Sequence, residues 1–373
     1  MKIGIDAKRI FHNRSGLGNY SRNILHLLVK NRPDTEFYLY TPKIKSHKDI
    51  DFINSFKNIF FKTPSSFLHK VFKFLWRPYL VLKQAENDKI DVYHGLSNEL
   101  PFGLKHQSMK KIVTIHDLIF LRYPYHYKFV DRIIYNFKSK YACKNADKII
   151  AISEQTKNDI IYYYGINPKK IEVIYQSCHN EFKEEVSLEV KKNIKKKYQL
   201  PNKFLLYVGT INERKNLLTL LKALRELPKH KLVIVGQGGK YKRICKNFIN
   251  KHELKLQVQF LNVEITEDLA AIYQMANIMI YPSFFEGFGI PIIEALYSKT
   301  PVITSIGSCF PEAGGQNSIY IDPNDKNQIK EAILNIDQND DLRKQMIQKG
   351  YEYVQKFSES NVLENINRLY NDI

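Results

Sequence analysis

The sequence has no uninterrupted apolar run near the roughly 18 residues that a membrane-spanning helix needs, so no segment is expected to cross a bilayer. Its four cysteines, Cys143, Cys178, Cys245 and Cys309, are far apart and form no C-x-x-C pair. That spacing argues against a disulfide framework or a zinc knuckle and predicts buried or semi-buried free thiols. No repeat of about 20 to 50 residues suggests a solenoid or a propeller. The opening Met1-Lys-Ile-Gly-Ile-Asp6 reads as a strand and not as a leader peptide, so a cytoplasmic location is expected. Acidic charge is the minority sign, with 38 Asp and Glu against 57 Lys and Arg and a net charge of +19.

What is present points to two folded domains. A chain of 373 residues exceeds the roughly 250–300 at which one core stops growing, and 44% apolar content can fill two. The positive charge is lopsided: residues 1–180 carry net +15 and residues 181–373 carry net +4. A basic first half suits nucleic acid, anionic lipid or phosphorylated small molecules as partners. No recognition helix or base-stacking motif accompanies that charge, so nucleic acid is not expected as a partner.

Apolar runs and helical periodicities alternate along the chain. Strands are expected at 2–7, 37–40, 59–62, 91–95, 111–117, 148–153 and 171–175, with helices near 20–29, 127–144 and 154–164. The stretch from Ser177 to Leu200 decays into charge around Lys191–Lys197 and reads as a linker with one solvated helix. A second alternation follows, with strands at 203–210, 231–236, 258–261, 278–281 and 301–305. The expected architecture is α/β, two Rossmann-like doubly wound domains facing across a cleft. Their bounds are 1–178, a linker 179–199 and 200–356, with a last helix, about 357–373, packing back on the first domain.

Four places carry chemistry. Arg14-Ser-Gly-Leu-Gly-Asn19 follows the first strand as a loop, with Gly16 and Gly18 suited to a tight turn or to phosphate, although the third glycine of a dinucleotide fingerprint is absent. The strand ending in His116-Asp117 puts polar groups at a sheet's carboxyl edge, where open α/β sheets bind ligands. Tyr281-Pro-Ser-Phe-Phe-Glu-Gly-Phe-Gly-Ile-Pro-Ile-Ile-Glu-Ala-Leu296 reads as strand end, glycine turn and helix N-terminus, an anion site flanked by Glu286 and Glu294. Finally, Ser66–Lys83 has Phe67, Leu68, Val71, Phe72, Leu75 and Tyr79 at helical spacing and Lys70, Lys73 and Arg77 on another face. A basic amphipathic helix of that kind, holding the only Trp of the chain, can lie on a membrane, although a core-packed helix kinked at Pro78 has the same pattern.

Taken in order, Thr114-Ile-His-Asp-Leu118, Val208-Gly-Thr-Ile-Asn-Glu-Arg-Lys-Asn-Leu217, Phe285-Glu-Gly-Phe-Gly-Ile-Pro-Ile-Ile-Glu-Ala295, and Pro311-Glu-Ala-Gly-Gly315 before Ile321-Asp-Pro323 are specific. The chain resembles, over essentially its full length, the retaining, nucleotide-sugar-dependent glycosyltransferases of family four, which have the GT-B architecture. The resemblance implies catalytic roles for His116, Arg214, Lys215 and Glu286. It also implies donor contacts from Gly16, Gly18, Gly209, Arg214, Lys215, Gly287, Phe288, Gly289 and Glu294. Arg214 and Lys215 would meet the diphosphate, Glu294 the donor ribose, Glu286 the donor sugar, and His116 that sugar from the first domain.

Many members carry Arg directly after the strand-end glycine where this chain has Thr210, so Arg214 is expected to supply that charge. No Asp-x-Asp motif stands at a strand end, so neither a metal nor a cofactor is expected. The resemblance, nearest to mannosyltransferase-like members, implies as partners a nucleotide-sugar donor, GDP-mannose in preference to a UDP-sugar, and a glycan or lipid-diphosphate-linked acceptor of surface polysaccharide synthesis. An anionic membrane surface, met through the basic first domain, is a further expected partner. A nucleotide-sugar epimerase of the same build is the alternative, separable because it would turn over donor alone.

Overall fold

In the first half of the chain, seven short apolar runs pair side by side in parallel. A computed structural model describes residues 1–13, 16–45, 47–64, 76–103 and 108–373. The strands are β1 (Lys2–Asp6), β2 (Glu36–Tyr40), β3 (Ile59–Lys62), β4 (Val92–Gly95), β5 (Lys110–Ile115), β6 (Lys148–Ala151) and β7 (Ile171–Val173). Their order in the sheet is β3-β2-β1-β4-β5-β6-β7. β4 is buried on both faces, the mark of a parallel sheet covered by helices on either side. One apolar cluster packs around Ile3, Ile5, Leu25 and Leu28, and another around Tyr93, Val113, Ile115 and Ala142.

The second sheet comprises β8 (Leu205–Val208), β9 (Leu232–Val235), β10 (Val258–Leu261), β11 (Ile278–Tyr281), β12 (Val302–Ser305) and β13 (Ile319–Ile321), ordered β10-β9-β8-β11-β12-β13. Both sheets are doubly wound as expected, and in each the strand order reverses once, between β1 and β4 and between β8 and β11. β13 runs up to Ile321, the first residue of the Ile321-Asp-Pro323 motif, and is a strand that the sequence pattern does not predict.

The chain divides into two compact units, Met1–Gln176 with Glu359–Ile373, and Ser177–Ser358. Residues 179–199 are packed on the second unit. Phe182 is buried edge-on to Tyr273 at 5.5 Å, and Tyr198 Oη donates to Asp268 at 2.7 Å. The charged run is the helix Leu188–Tyr198, which buries only Ile194. The helix Glu359–Asn371 buries Val362, Ile366 and Leu369 in the core of the first unit, worth about 1.5–3 kcal/mol for each side chain fully buried. Its Tyr370 Oη lies 2.7 Å from His94 Nδ1, and His94 Nε2 lies 2.9 Å from Thr114 Oγ1. Burial pushes the His94 imidazole down to about 3, so that network is neutral at physiological pH.

Two expectations change. Gly16 and Gly18 do not form a loop: they open the helix Gly16–Asn31, because Tyr20, Ile24, Leu27 and Leu28 give it a buried stripe that packing rewards more than glycine costs. The basic helix read at 66–83 falls largely on residues 65–75, outside the described residues. Its described end is a one-turn π-helix, Trp76–Leu80, carrying Pro78 and followed by the helix Val81–Asn87. Arg77 is not on a solvated face there. It is held between Asp6 and Glu99, each 2.7 Å away, and Trp76 is fully buried.

Candidate active site

The second unit places two loops at the point where its strand order reverses, just beyond the carboxyl ends of β8 and β11. The first loop runs through Gly209 to a single 3-10 turn, Glu213–Lys215, started by the Asn212 side chain, which accepts from Lys215 N at 3.1 Å. The next residue, Asn216, adopts φ +55° and is buried. Its Nδ2 donates to Pro282 O at 3.1 Å and to Pro323 O at 2.6 Å, tying this loop to the one after β11. That second loop ends at Gly289, whose φ of +111° suits glycine, and enters the helix Ile290–Tyr297 with Pro291 in its first turn.

These loops bring Arg214, Lys215 and Glu286 into one buried cluster. Arg214 Nη1 lies 2.6 Å from Glu286 Oε2, and Lys215 Nζ lies 3.1 Å from Oε1. Tyr281 Oη and Ser283 Oγ each donate to the same Oε1 at 2.9 Å. Arg214 also donates to Phe285 O, and Lys215 to Tyr281 Oη. The Lys215 chain crosses Gly209, where a Cβ would sit 3.2 Å from its Nζ. Burial alone would raise the Glu286 carboxyl, but Lys215 and Arg214 outweigh it and hold it down to about 2. Burial draws the Lys215 ammonium below the ordinary lysine range, with Glu286 opposing.

Glu294 has a different environment. It is half-buried on the helix after Gly289, and Tyr273 Oη donates to its Oε2 at 2.9 Å. Burial outweighs that hydrogen bond and the charge of Lys215 and raises the carboxyl to about 7. The two acids flanking one glycine turn are thus pushed in opposite directions. The Phe288 ring is buried against Phe357 at 5.2 Å, so only its backbone faces the loop, while Cys309 Sγ lies 2.8 Å from Phe288 O.

The first unit holds a separate group, also beyond the carboxyl ends of its strands. His116, just past β5, is buried; its backbone N–H donates to Asn98 Oδ1 at 2.8 Å and its Nε2 donates to Leu96 O at 2.9 Å. Because a carbonyl only accepts, the proton sits on Nε2 and Nδ1 is the acceptor nitrogen. Burial pushes this imidazole down to about 4. Tyr20 packs edge-on against its ring at 4.7 Å. Leu17, between Gly16 and Gly18 in the first helical turn, lines a cavity of about 200 Å³ with Arg9, Asn98, Glu99 and Asp117. A second cavity of about 440 Å³, lined by Asp6, Lys8, Arg77, Tyr79, Phe102 and Lys138 among others, adjoins it at Glu99.

The model for Glycosyltransferase Family 4 matches residues 14–178, and that for Glycosyl transferases group 1 matches residues 190–353. The chain belongs to glycosyltransferase family 4. It is 27% identical over 377 residues to the O-antigen chain mannosyltransferase B of Escherichia coli, covering 97% of each chain. It is 30% identical over 251 residues to the O-antigen chain mannosyltransferase RfbU of Salmonella typhimurium, covering 67% of this chain and 66% of that one. Among solved structures it superposes on Anabaena HepE in complex with UDP and glucose with a TM-score of 0.79 at 15% identity, covering 100% of this chain and 99% of that one. The fold of this glycosyltransferase is GT-B.

Of the residues predicted from sequence, Gly209, Arg214, Lys215 and Glu286 come together, Gly287 to Gly289 belong to the same loop, and Glu294 stands one helical turn beyond it. His116, Gly16 and Gly18 belong to the other unit. Sequence reasoning missed the supporting side chains. Tyr281 and Ser283 stand five and three residues before Glu286 in a stretch already singled out, so their nearness was available as a signal. Asn216 directly follows Lys215 in a stretch also singled out, so its nearness was available too, whereas Cys309 and Tyr273 reach the site only through tertiary contacts and carry no local signal. Among the described residues, no three His, Cys, Asp or Glu side chains gather to hold a metal ion.

Proposed function

We propose that this glycosyltransferase moves a hexose, with retention of configuration, from a nucleotide-diphosphate sugar to a glycan or lipid-diphosphate-linked acceptor in surface polysaccharide synthesis. The observation that carries the proposal is the Arg214–Lys215–Glu286 cluster at the β8/β11 reversal, where two cations meet one carboxylate and net positive charge remains. A departing nucleoside diphosphate gains negative charge, so cations and helix N–H groups fixed near it lower the barrier. Arg214 supplies a planar fork for phosphate oxygens, Lys215 a point charge, and the entry of the helix Ile290–Tyr297 further N–H groups. Glu294 accepts from the ribose hydroxyls, and Glu286 positions the sugar and the two cations. His116 presents Nδ1 as an acceptor to the sugar.

The acceptor hydroxyl attacks the anomeric carbon on the face the diphosphate leaves. The anomeric carbon–phosphate oxygen bond breaks, the new glycosidic bond forms, and the hydroxyl proton passes to the departing phosphate oxygen. The relatives named as mannosyltransferases favour GDP-mannose as donor. A UDP-sugar is the second reading, favoured by the UDP in the similar HepE structure. The basic first domain suits an acceptor presented at the inner face of a membrane.

A thermal-shift panel of nucleotide sugars tests the donor, because a ligand at about 100 times its dissociation constant stabilises the native state by about 2.7 kcal/mol. The expected result is a rise with GDP-mannose, smaller with UDP-sugars, and a product whose anomeric configuration by NMR matches that of the donor. No shift with any nucleotide sugar, or an inverted product, would overturn the reading.

A further inference from the structure

We propose that the outer face of the helix Phe129–Asn145 is a docking surface for an anionic lipid bilayer. The helix buries only Ser139, Ala142 and Cys143. On its other side Phe129 is 71% exposed, Val130 63%, Ile133 53%, Ile134 44% and Phe137 62%. At 3.6 residues per turn these five side chains fall within an arc of about 140°, the width of a helix stripe that normally faces a core. Tyr125, just before the helix, is 74% exposed, and tyrosine is a residue favoured at the boundary of water and lipid.

The charge around this stripe selects the occupant. From residue 128 to 145 the chain carries Lys128, Arg132, Lys138, Lys140 and Lys144 against a single acid, Asp131. Lys140 and Lys144 are exposed and continue the apolar stripe along the same arc. A second copy would set these bases against their own kind, whereas a surface of anionic headgroups attracts each of them while the Phe and Ile side chains enter the acyl boundary. Every residue of the surface belongs to one unit.

The surface also leads to a cavity. Phe137 lies 5.5 Å from Phe102, which packs 5.2 Å from Tyr79, and both Phe102 and Tyr79 line the 440 Å³ cavity with Lys138 and the Asp6–Arg77–Glu99 ion pairs. A docked helix therefore places a charged pocket beside the headgroups, where the polar end of a lipid-diphosphate-linked acceptor would be presented. This last step rests on the acceptor class proposed above; membrane docking itself does not.

Flotation of the full chain with phosphatidylcholine vesicles, with and without phosphatidylglycerol, tests the proposal in the absence of donor and acceptor. The expected result is partitioning at least about tenfold stronger onto the anionic vesicles, weakening with salt. Phe129→Ser with Ile133→Ser should lose that binding about tenfold or more, and Lys140→Glu with Lys144→Glu should abolish the preference for phosphatidylglycerol. These side chains are exposed, so the variants should melt with the wild type. Unchanged partitioning of both variants would overturn the proposal. So would light scattering that shows a vesicle-free dimer lost in the serine variant, which would assign the face to a second copy. Neither result would touch nucleotide-sugar turnover, so failure of the surface and failure of the proposed reaction are distinguishable.

Discussion

Replacing Glu294 by Gln separates the thermodynamic character of this carboxyl from the ribose contact proposed for it. Its folded-state value of about 7 lies about 2.5 units above its ordinary 4.5, so the folded protein holds a proton that the unfolded chain has lost between those pH values. Stability from this group is therefore fully present below about pH 4.5, falls as pH rises, and reaches its full deficit above about pH 7. At 1.36 kcal/mol per unit the ceiling is about 3.4 kcal/mol, and partial exposure brings the expectation to about 1–2 kcal/mol. Glutamine retains an oxygen to accept from Tyr273 Oη but cannot ionise. Glu294→Gln should thus melt with the wild type at pH 4 and about 2–8 °C higher at pH 8. Donor binding should move the other way. The wild type should bind nucleotide sugar more tightly as pH rises through about 7, and the variant should bind it about tenfold or more weakly at pH 8, with no such dependence. Melting curves and titrations across pH 4–9 read both effects. A melting difference constant with pH would refute the buried-carboxyl argument, and unaltered donor affinity would refute the ribose assignment.

Glu286→Gln should show the opposite pH sign. Its folded-state value is depressed to about 2, so the stability it confers is present above about pH 4.5 and lost as pH falls toward 2; the variant should be less stable by about 3 kcal/mol at pH 7 and nearly equal to the wild type at pH 2, by denaturant titration. Arg214→Ala with Lys215→Ala should cut turnover by about 100-fold or more in a nucleotide-release assay, and near-wild-type rates would remove these residues from the diphosphate site. Asn216→Ala loses two buried hydrogen bonds and a side chain tolerant of φ +55°, so it should cost about 2 kcal/mol or more in a urea titration and lower turnover by loosening both loops.

Most strands were legible because short apolar runs such as Ile278–Tyr281 have nowhere to go but between helices. The loops after β8 and β11 were legible because their glycines, Pro291 and acids follow strands directly. The helix start at Gly16 was not, since glycine spacing speaks of turns while the deciding stripe of Tyr20, Ile24 and Leu28 pays off only against a sheet. Arg77 shows the same limit. As sequence it is one cation on an amphipathic pattern; in the fold, Asp6 and Glu99 come from two other segments to hold it. The helix near 127–144 was visible as a period, but which of its faces lacks a cover depends on what the sheet leaves unused.

The geometry around Glu286 bears on whether, in the proposed reaction, this carboxylate attacks the sugar or positions it. A nucleophile needs an oxygen with a lone pair aimed at the anomeric carbon and enough basicity to form the bond. Glu286 Oε1 already accepts from Tyr281 and Ser283 and faces Lys215, while Oε2 faces Arg214. Held at about 2, it is a weak base even among carboxylates. The same contacts are what a positioning group requires, because they fix two cations that would otherwise repel each other in a buried loop. A substrate diphosphate arriving there can take over part of each cation's pairing without leaving Glu286 unsatisfied, since Tyr281 and Ser283 remain. Same-face attack with the departing phosphate as base therefore asks less of this site than a double displacement does, and an azide-rescue assay distinguishes them: azide trapping of a glycosyl adduct in a Glu286→Ala variant would reverse the argument.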